Sequence, residues 1–320
     1  SQLFSSIASS YLLEELNIKV RREVAIKRIL FFFEDRYAFG TIHNGLSKEL
    51  YKHGILAELI NWNVPYTQTE MTSFIELYDF VMTIPSAYQA LKHYGVPDDK
   101  IILCGHGEED LIKAVSMHGT TMFNRIGGYT VVSQLLVQRS LEFGIPRIPT
   151  LTQIGIMTKS FYTRLSNRLS NVGYAAAMSV RNVFGVEIKR GELVAKCCDE
   201  INLPFVRPGL RHFLGMPQFY RTVDCVVMSS TEETVGLPIM EAAAAGRLVI
   251  GTRVGHFKDH DYGIKVSLQP ELFVQEVVRA LHHYHNHPDD YLQACRKIQD
   301  YAMAHFDWSQ CIGPWVKMLS

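Results

Sequence analysis

At 320 residues and 47% hydrophobic side chains, the chain carries enough apolar material for two ordinary domains, each with its own core. Its 32 basic and 32 acidic residues cancel, so no net field draws it toward nucleic acid or an anionic membrane surface. Six cysteines (Cys104, Cys197, Cys198, Cys225, Cys295, Cys311) sit mostly in apolar runs without the paired spacings of zinc or redox sites. They read as buried free thiols in a reducing compartment. No uncharged apolar run approaches the roughly 18 residues of a spanning helix, and the first residues lack a signal-peptide plan. The expectation is a protein of the cytoplasm, of a cell or of an infected host.

Residues 1 to 27 are predicted to be a helical lead-in, because Leu12, Leu13, Leu16 and Val20 recur at helical spacing among charges. Ile29 to Phe33 is a continuous apolar run closed by Glu34 and Asp35; a loop at Gly40 and a helical pattern at Leu46, Leu50 and Tyr51 follow. Further strands are expected at Ile55 to Asn61, Phe80 to Ile84, Lys100 to Cys104 and Tyr129 to Ser133. Short apolar runs separated by helical segments are the mark of a parallel sheet with crossover helices, so the first half is Rossmann-like. A polar, turn-rich passage from Gly155 to Asn171 interrupts the alternation, which resumes at Val172 to Met178, Phe205 to Val206, Cys225 to Met228 and Leu248 to Ile250. The domains are therefore expected at 1–171 and 172–320, facing each other across a cleft at the carboxyl ends of their strands.

The most informative segment is Cys225 to Gly251, CVVMSSTEETVGLPIMEAAAAGRLVIG. An apolar strand ends at Ser229 and Ser230, a loop carries Glu233, Gly236 and Pro238, and an alanine-rich helix bears Glu241 and stops at Gly246. Both carboxylates thus lie near a helix N-terminus, where unpaired N–H groups favour anions. Carboxylates accept hydrogen bonds from sugar and ribose hydroxyls, and a glycine lets the backbone approach a diphosphate.

This segment resembles the retaining glycosyltransferases of the GT-B fold (group 1, or family 4-like), whose E-x7-E signature lies within S-x-x-E-x-x-G-L-P-x-x-E-A-x-A-x-G. Residues 230 to 246 match that pattern. The resemblance implies an α/β GT-B fold, a hexose-type nucleotide-sugar donor such as a UDP- or GDP-sugar, and transfer to an acceptor hydroxyl with retention. It implies that Glu233 touches the transferred sugar, that Glu241 holds the ribose, and that Thr234, Val235 and the amides near Gly236 and Leu237 line the diphosphate. Gly40 would stand in the acceptor-side loop. By the same likeness, KIILCGHGEED at Lys100 to Asp110 would bring His106 to the donor sugar or the acceptor. Arg181, Lys189 and Arg190 are the candidate cations for the leaving diphosphate, Arg181 and Arg190 first, although solvated surface charge is the competing explanation for each. The family's aspartate two residues after the junction glycine is absent here, where Gly155 is followed by Ile156 and Met157. The final helix, with Trp308 and Trp315 seven apart on one face, would cross back to the first domain.

Asp259-His260-Asp261 and the histidines at 282, 283, 285 and 287 suggest metal sites but read as a solvated turn and a histidine-rich helix end. No metal or other cofactor is expected, since fixed cations and helix amides do the charge work. The acceptor, whether glycan, lipid, protein or small molecule, is not indicated. Two alternatives stay open: a GT-B-fold epimerase or hydrolase of nucleotide sugars, and a non-catalytic nucleotide-sugar-binding partner subunit.

Overall fold

The computed structural model describes residues 27–35, 37–182, 184–209 and 213–320. The helical lead-in expected over residues 1 to 27 lies outside the described residues except for Lys27, which opens the first strand.

In the first half strands and helices alternate: β1 (Lys27–Phe33), α1 (Tyr37–Lys52), β2 (Ile55–Asn61), α2 (Gln68–Leu77), β3 (Phe80–Thr83), α3 (Tyr88–His93), β4 (Ile101–Gly105), α4 (Glu108–His118), β5 (Gly128–Val131), α5 (Gln134–Glu142) and β6 (Thr150–Leu151). The six strands form a parallel sheet in the order β2-β1-β3-β4-β5-β6. The last five residues of β1, Ile29 to Phe33, are all buried, as befits an inner strand covered by helices on both faces. Gly40 is a correction to expectation. It sits in the first turn of α1, not in a loop, because helical pairing begins at Tyr37 directly after the strand.

The second half continues with α6 (Thr158–Phe161), β7 (Val172–Gly173), β8 (Ser179–Arg181), β9 (Glu187–Arg190), α7 (Gly191–Glu200), β10 (Phe205–Val206), α8 (Met216–Arg221), β11 (Cys225–Met228), α9 (Leu237–Ala244), β12 (Leu248–Thr252), α10 (Gly255–Asp259) and β13 (Ile264–Val266). Three helices follow: α11 (Pro270–Asn286), α12 (Pro288–His305) and α13 (Trp308–Leu319). Its five-stranded parallel sheet runs β10-β7-β11-β12-β13, and β8 and β9 make a separate antiparallel hairpin. The strand expected at Val172 to Met178 is only Val172–Gly173. Its neighbour β10 offers just two residues, so the ladder stops there.

In both sheets the winding direction reverses beside the first strand, between β1 and β3 and again between β7 and β11. Such switch points open a crevice at the carboxyl ends of parallel strands, where ligands bind. The two carboxyl edges approach one another: Gly40, just beyond β1, lies against the ring of Phe213, which stands beyond β10. A Cβ at Gly40 would strike both that ring and the Asp35 carbonyl.

The chain passes between the halves twice. Ile156 N–H donates to Phe306 O (2.7 Å) and Trp308 N–H to Ile156 O (3.2 Å), so the outgoing and returning segments pair. α13 then packs on α1, with Trp308 and Trp315 both buried and the Trp315 indole donating to Gln153 O at 2.8 Å. Gly155 is required at this crossing, because a Cβ there would lie 2.8 Å from Trp308 Cα. Backbone cannot yield as a side chain can, so Gly155→Ala is expected to cost roughly 1–3 kcal/mol. Urea midpoints of the two proteins test this, and equal midpoints would refute the tight crossing.

Candidate functional site

The site grows from the end of β11. Four buried residues, Cys225 to Met228, deliver Ser229 and Ser230 to the carboxyl edge of the sheet, both fully buried. The loop to α9 closes at Gly236, whose φ of 79° and ψ of 48° are left-handed and favour glycine. Leu237 and Pro238 then open α9, proline being tolerated where the helix has no N–H partner to lose. The helix is buried nearly all round and ends with Gly246 at φ 68°, where Arg247 N–H bonds Ala242 O and Gly246 N–H bonds Ala243 O. Both ends are thus fixed, with Ile239 N–H donating to Gly236 O at 3.1 Å in the first turn.

Glu233 stands in that loop beside Lys189. The Lys189 ammonium pairs directly with Glu233 Oε1 and donates to Ser230 Oγ (3.1 Å), while Ser230 Oγ donates to the same carboxylate at 2.8 Å. The two side chains keep 21% and 17% of their exposure, so the pair borders solvent and stays reachable. Gly255, the first residue of α10, closes the other side: its φ is 53°, and a Cβ there would lie 2.7 Å from Glu233 O. Thr234 and Val235 continue the loop, half-buried, between Glu233 and Gly236.

Of the three candidate cations, only Lys189 lies with the carboxylate. Arg190 is buried, its Nε donating to Ser229 O and one terminal nitrogen to Leu268 O, both at 2.7 Å, above the Phe273 ring. Desolvation pulls its pKa below the ordinary value, with the nearby Glu187 opposing that shift. Its guanidinium thus ties together backbone beyond β11 and β13, while its other terminal nitrogen has no partner among the described residues. Arg181 is exposed on the hairpin and donates to Gly185 O (2.8 Å), across its own turn. The hairpin is stitched to the site loop, since Thr231 N–H donates to Ile188 O and its hydroxyl to Glu187 O, both at 2.9 Å.

Glu241 lies one turn into α9 and is 4% exposed. Its Oε2 accepts from the buried Tyr220 hydroxyl at 2.8 Å. Burial raises its pKa to about 7, and the Tyr220 hydrogen bond holds it down against a larger rise. Tyr220 and Gly255 were not found by sequence reasoning, and Ser230 appeared there only as the first residue of the motif. Tyr220 lies well outside the motif and carries no pattern of its own; Gly255, following a strand in Thr-Arg-Val-Gly, was the detectable one.

In the first half, His106 follows β4, half-buried, with its Nε2 3.3 Å from Cys104 Sγ and its pKa pushed by burial down to about 4. It belongs to an aromatic cluster with Phe33, Phe39 and His43. Among the described residues no group of three or more His, Cys, Asp or Glu side chains is placed to hold a metal. His283 instead faces Asp290 and stacks on His287, while His285 bonds Leu169 O. Asp259 ends a short helix and so is not a turn residue. No described helix is long and apolar enough to cross a membrane.

Two parallel α/β halves with ligand-facing carboxyl edges define a GT-B fold. Residues 196–283 match the family model described as Glycosyl transferases group 1. Among solved structures, HepE from Anabaena in complex with UDP and glucose is similar at TM-score 0.64 and 14% identity, over 92% of this chain and 99% of that one. Sucrose-phosphate synthase from Thermosynechococcus elongatus aligns at TM-score 0.63 and 13% identity, over 92% and 99%. The catalytic domain of starch synthase IV from Arabidopsis thaliana, bound to ADP and acarbose, gives 0.66 and 13%, again over 92% and 99%. No curated protein matches the chain in sequence. A GT-B fold with a stretch that matches the group 1 glycosyltransferase model supports an enzyme that transfers glycosyl groups.

Two tests follow from this geometry. The folded chain holds a proton on Glu241 up to about pH 7, whereas an ordinary glutamate ionises near 4.5. Stability from this group is therefore full below pH 4.5 and is lost as pH rises to about 7, a change of about 3 kcal/mol. Glu241→Gln should remove that slope, and parallel pH dependences of melting for the two proteins would refute the assignment. Gly255→Ala should displace Glu233 and cut turnover at least tenfold. An unchanged rate would mean that α10 does not fix the carboxylate.

Proposed function

We propose that the chain is a retaining glycosyltransferase that moves a hexose-type sugar from a nucleoside-diphosphate donor to an acceptor hydroxyl. The observation that carries this reading is the Lys189–Glu233–Ser230 cluster at the switch point of the second sheet, beside the first turn of α9. Lys189 supplies a fixed positive charge where a leaving diphosphate gathers negative charge, and the amides after Gly236 add their dipoles. Glu233, once its ammonium partner turns to the diphosphate, accepts hydrogen bonds from the hydroxyls of the transferred sugar. Glu241, which burial keeps protonated toward neutral pH, accepts from the ribose hydroxyls, and their hydrogen bonds favour its ionised form.

In the reaction, the bond from C1 of the sugar to the diphosphate oxygen breaks and the acceptor oxygen bonds to C1 from the same face. The acceptor's proton passes to the departing phosphate oxygen. In this reading Glu233 holds the sugar hydroxyls and does not serve as the nucleophile. His106, neutral at physiological pH, stands on the first half to orient donor or acceptor by hydrogen bonding. Donor complexes of similar proteins support the class of substrate: HepE is recorded with UDP-glucose.

Glu233→Ala should lower kcat by roughly 100-fold or more while nucleoside diphosphate affinity falls little. Lys189→Ala should weaken nucleoside diphosphate binding directly, about tenfold or more. Calorimetric titration with UDP and GDP, paired with loss of the sugar from a panel of UDP- and GDP-sugars, reads both effects. Full turnover in both variants would overturn the site. Because charge is met by Lys189 and the helix amides, a chelator should leave the rate unchanged.

A further inference from the structure

The first half carries a second set of groups, at the carboxyl ends of β1 and β2, that the donor site does not use. Asp35, exposed just beyond β1, accepts at Oδ1 from Asn61 Nδ2 at 2.7 Å, and the Asn61 carbonyl oxygen of the side chain is in turn held by Asn63 N–H at 2.9 Å. The amide is therefore locked with its nitrogen toward the acid. Beside them stands Tyr66, half-buried: burial raises its phenol, the Asn61 backbone draws it back, and the Asp35 carboxylate adds to the rise. Next in space come two half-buried rings, Trp62 and Phe39, edge to face at 5.9 Å. Trp62 leans on buried Phe33 at 5.9 Å and Phe39 meets His106 at 5.1 Å.

A buried core does not need this composition. An acid and an amide held in a fixed hydrogen bond, with a phenol near the acid, offer both acceptors and donors to vicinal hydroxyls. Partly open aromatic faces beside them suit the apolar C–H face of a pyranose, since the negative π face attracts polarised C–H groups while excluding water. The exposed Asp35 carboxylate accepts from hydroxyls, which a neutral sugar supplies in adjacent pairs. The Gly40–Phe213 contact brings this edge toward the loops of the second sheet.

We propose that Asp35, Asn61, Trp62, Tyr66 and Phe39 form the acceptor subsite and that it takes a neutral sugar: the acceptor hydroxyl belongs to a glycoside or oligosaccharide. This rests on the transferase reading but is tested separately from it. Of the three tryptophans, Trp308 and Trp315 are 2% and 1% exposed, so Trp62 dominates quenching of the intrinsic fluorescence by acrylamide. The full chain is titrated with methyl α- and β-glycosides of glucose, galactose and mannose and with maltose, each with inorganic phosphate and a short polyprenyl phosphate as comparisons.

At least one glycoside should protect Trp62 from acrylamide, and phosphate and polyprenyl phosphate should not. Asp35→Asn and Tyr66→Phe should each weaken that protection roughly tenfold, with melting temperatures close to the parent's. In transfer assays Trp62→Phe should raise the KM for the sugar acceptor about fivefold or more and leave the donor KM unchanged. Glu233→Gln should keep full protection while losing transfer. The proposal is overturned if no glycoside protects Trp62, if the Asp35 and Tyr66 variants bind as the parent does, or if donor sugar passes to polyprenyl phosphate and not to any glycoside. That last result would leave the transferase reading intact; protection without consumption of any donor would instead remove the transferase reading and leave the sugar subsite standing.

Discussion

A carboxylate and an ammonium group drawn partly out of water must be paired, or one of them gives up its charge. At the carboxyl end of β11 that requirement is met by Lys189 and Glu233, and much of the local architecture serves to keep them opposed. Arg190, next in sequence to Lys189, is fixed by carbonyls of Ser229 and Leu268, so β9 cannot slide away from the loop. The Ser229 hydroxyl returns a bond to Arg190 O, and Thr231 binds the strand from the other side. Gly255 leaves room for Glu233 and no more. The pair is therefore set in position by backbone contacts, and its partners can be exchanged for a ligand's charges without rebuilding the loop.

Glu241 poses the opposite case. It is buried, and among the described residues it meets the Tyr220 hydroxyl and no cation, so burial favours its neutral form. Two acids eight positions apart on one motif thus stand in different electrostatic surroundings, and the difference follows from where the chain turns at Gly236. One side chain faces the crevice, and the other is carried by the helix toward α8 and Tyr220.

The alternation of strands and helices was legible because parallel strands buried on both faces must be apolar along their length, as ILFFF in β1 and CVVM in β11 are. The E-x7-E motif located the loop and the helix for the same reason: Gly236, Pro238 and Gly246 have backbone duties that few other residues perform. The hairpin of β8 and β9 was not legible, since SVR and EIKR carry polar side chains on a surface ribbon and lack a buried face to impose a pattern. Among the cations, sequence put Arg181 and Arg190 ahead of Lys189, whereas Lys189 is the one that meets Glu233. Adjacent residues on a strand point to opposite sides, so one of Lys189 and Arg190 had to turn inward, and only the packing against Phe273 tells which. Gly40 was misplaced because glycine usually signals a loop, whereas here it is small to admit Phe213.

The paired segments near Ile156 and Phe306 have a mechanical meaning. Two bodies joined by a single covalent thread can swivel about any axis, but two threads lying side by side leave one easy rotation, about the line that runs through both. The tryptophan of α13 is wedged at that line against Gly155, and the helix itself rides with the opposite body. A rotation of one half against the other therefore has that line as its easy axis.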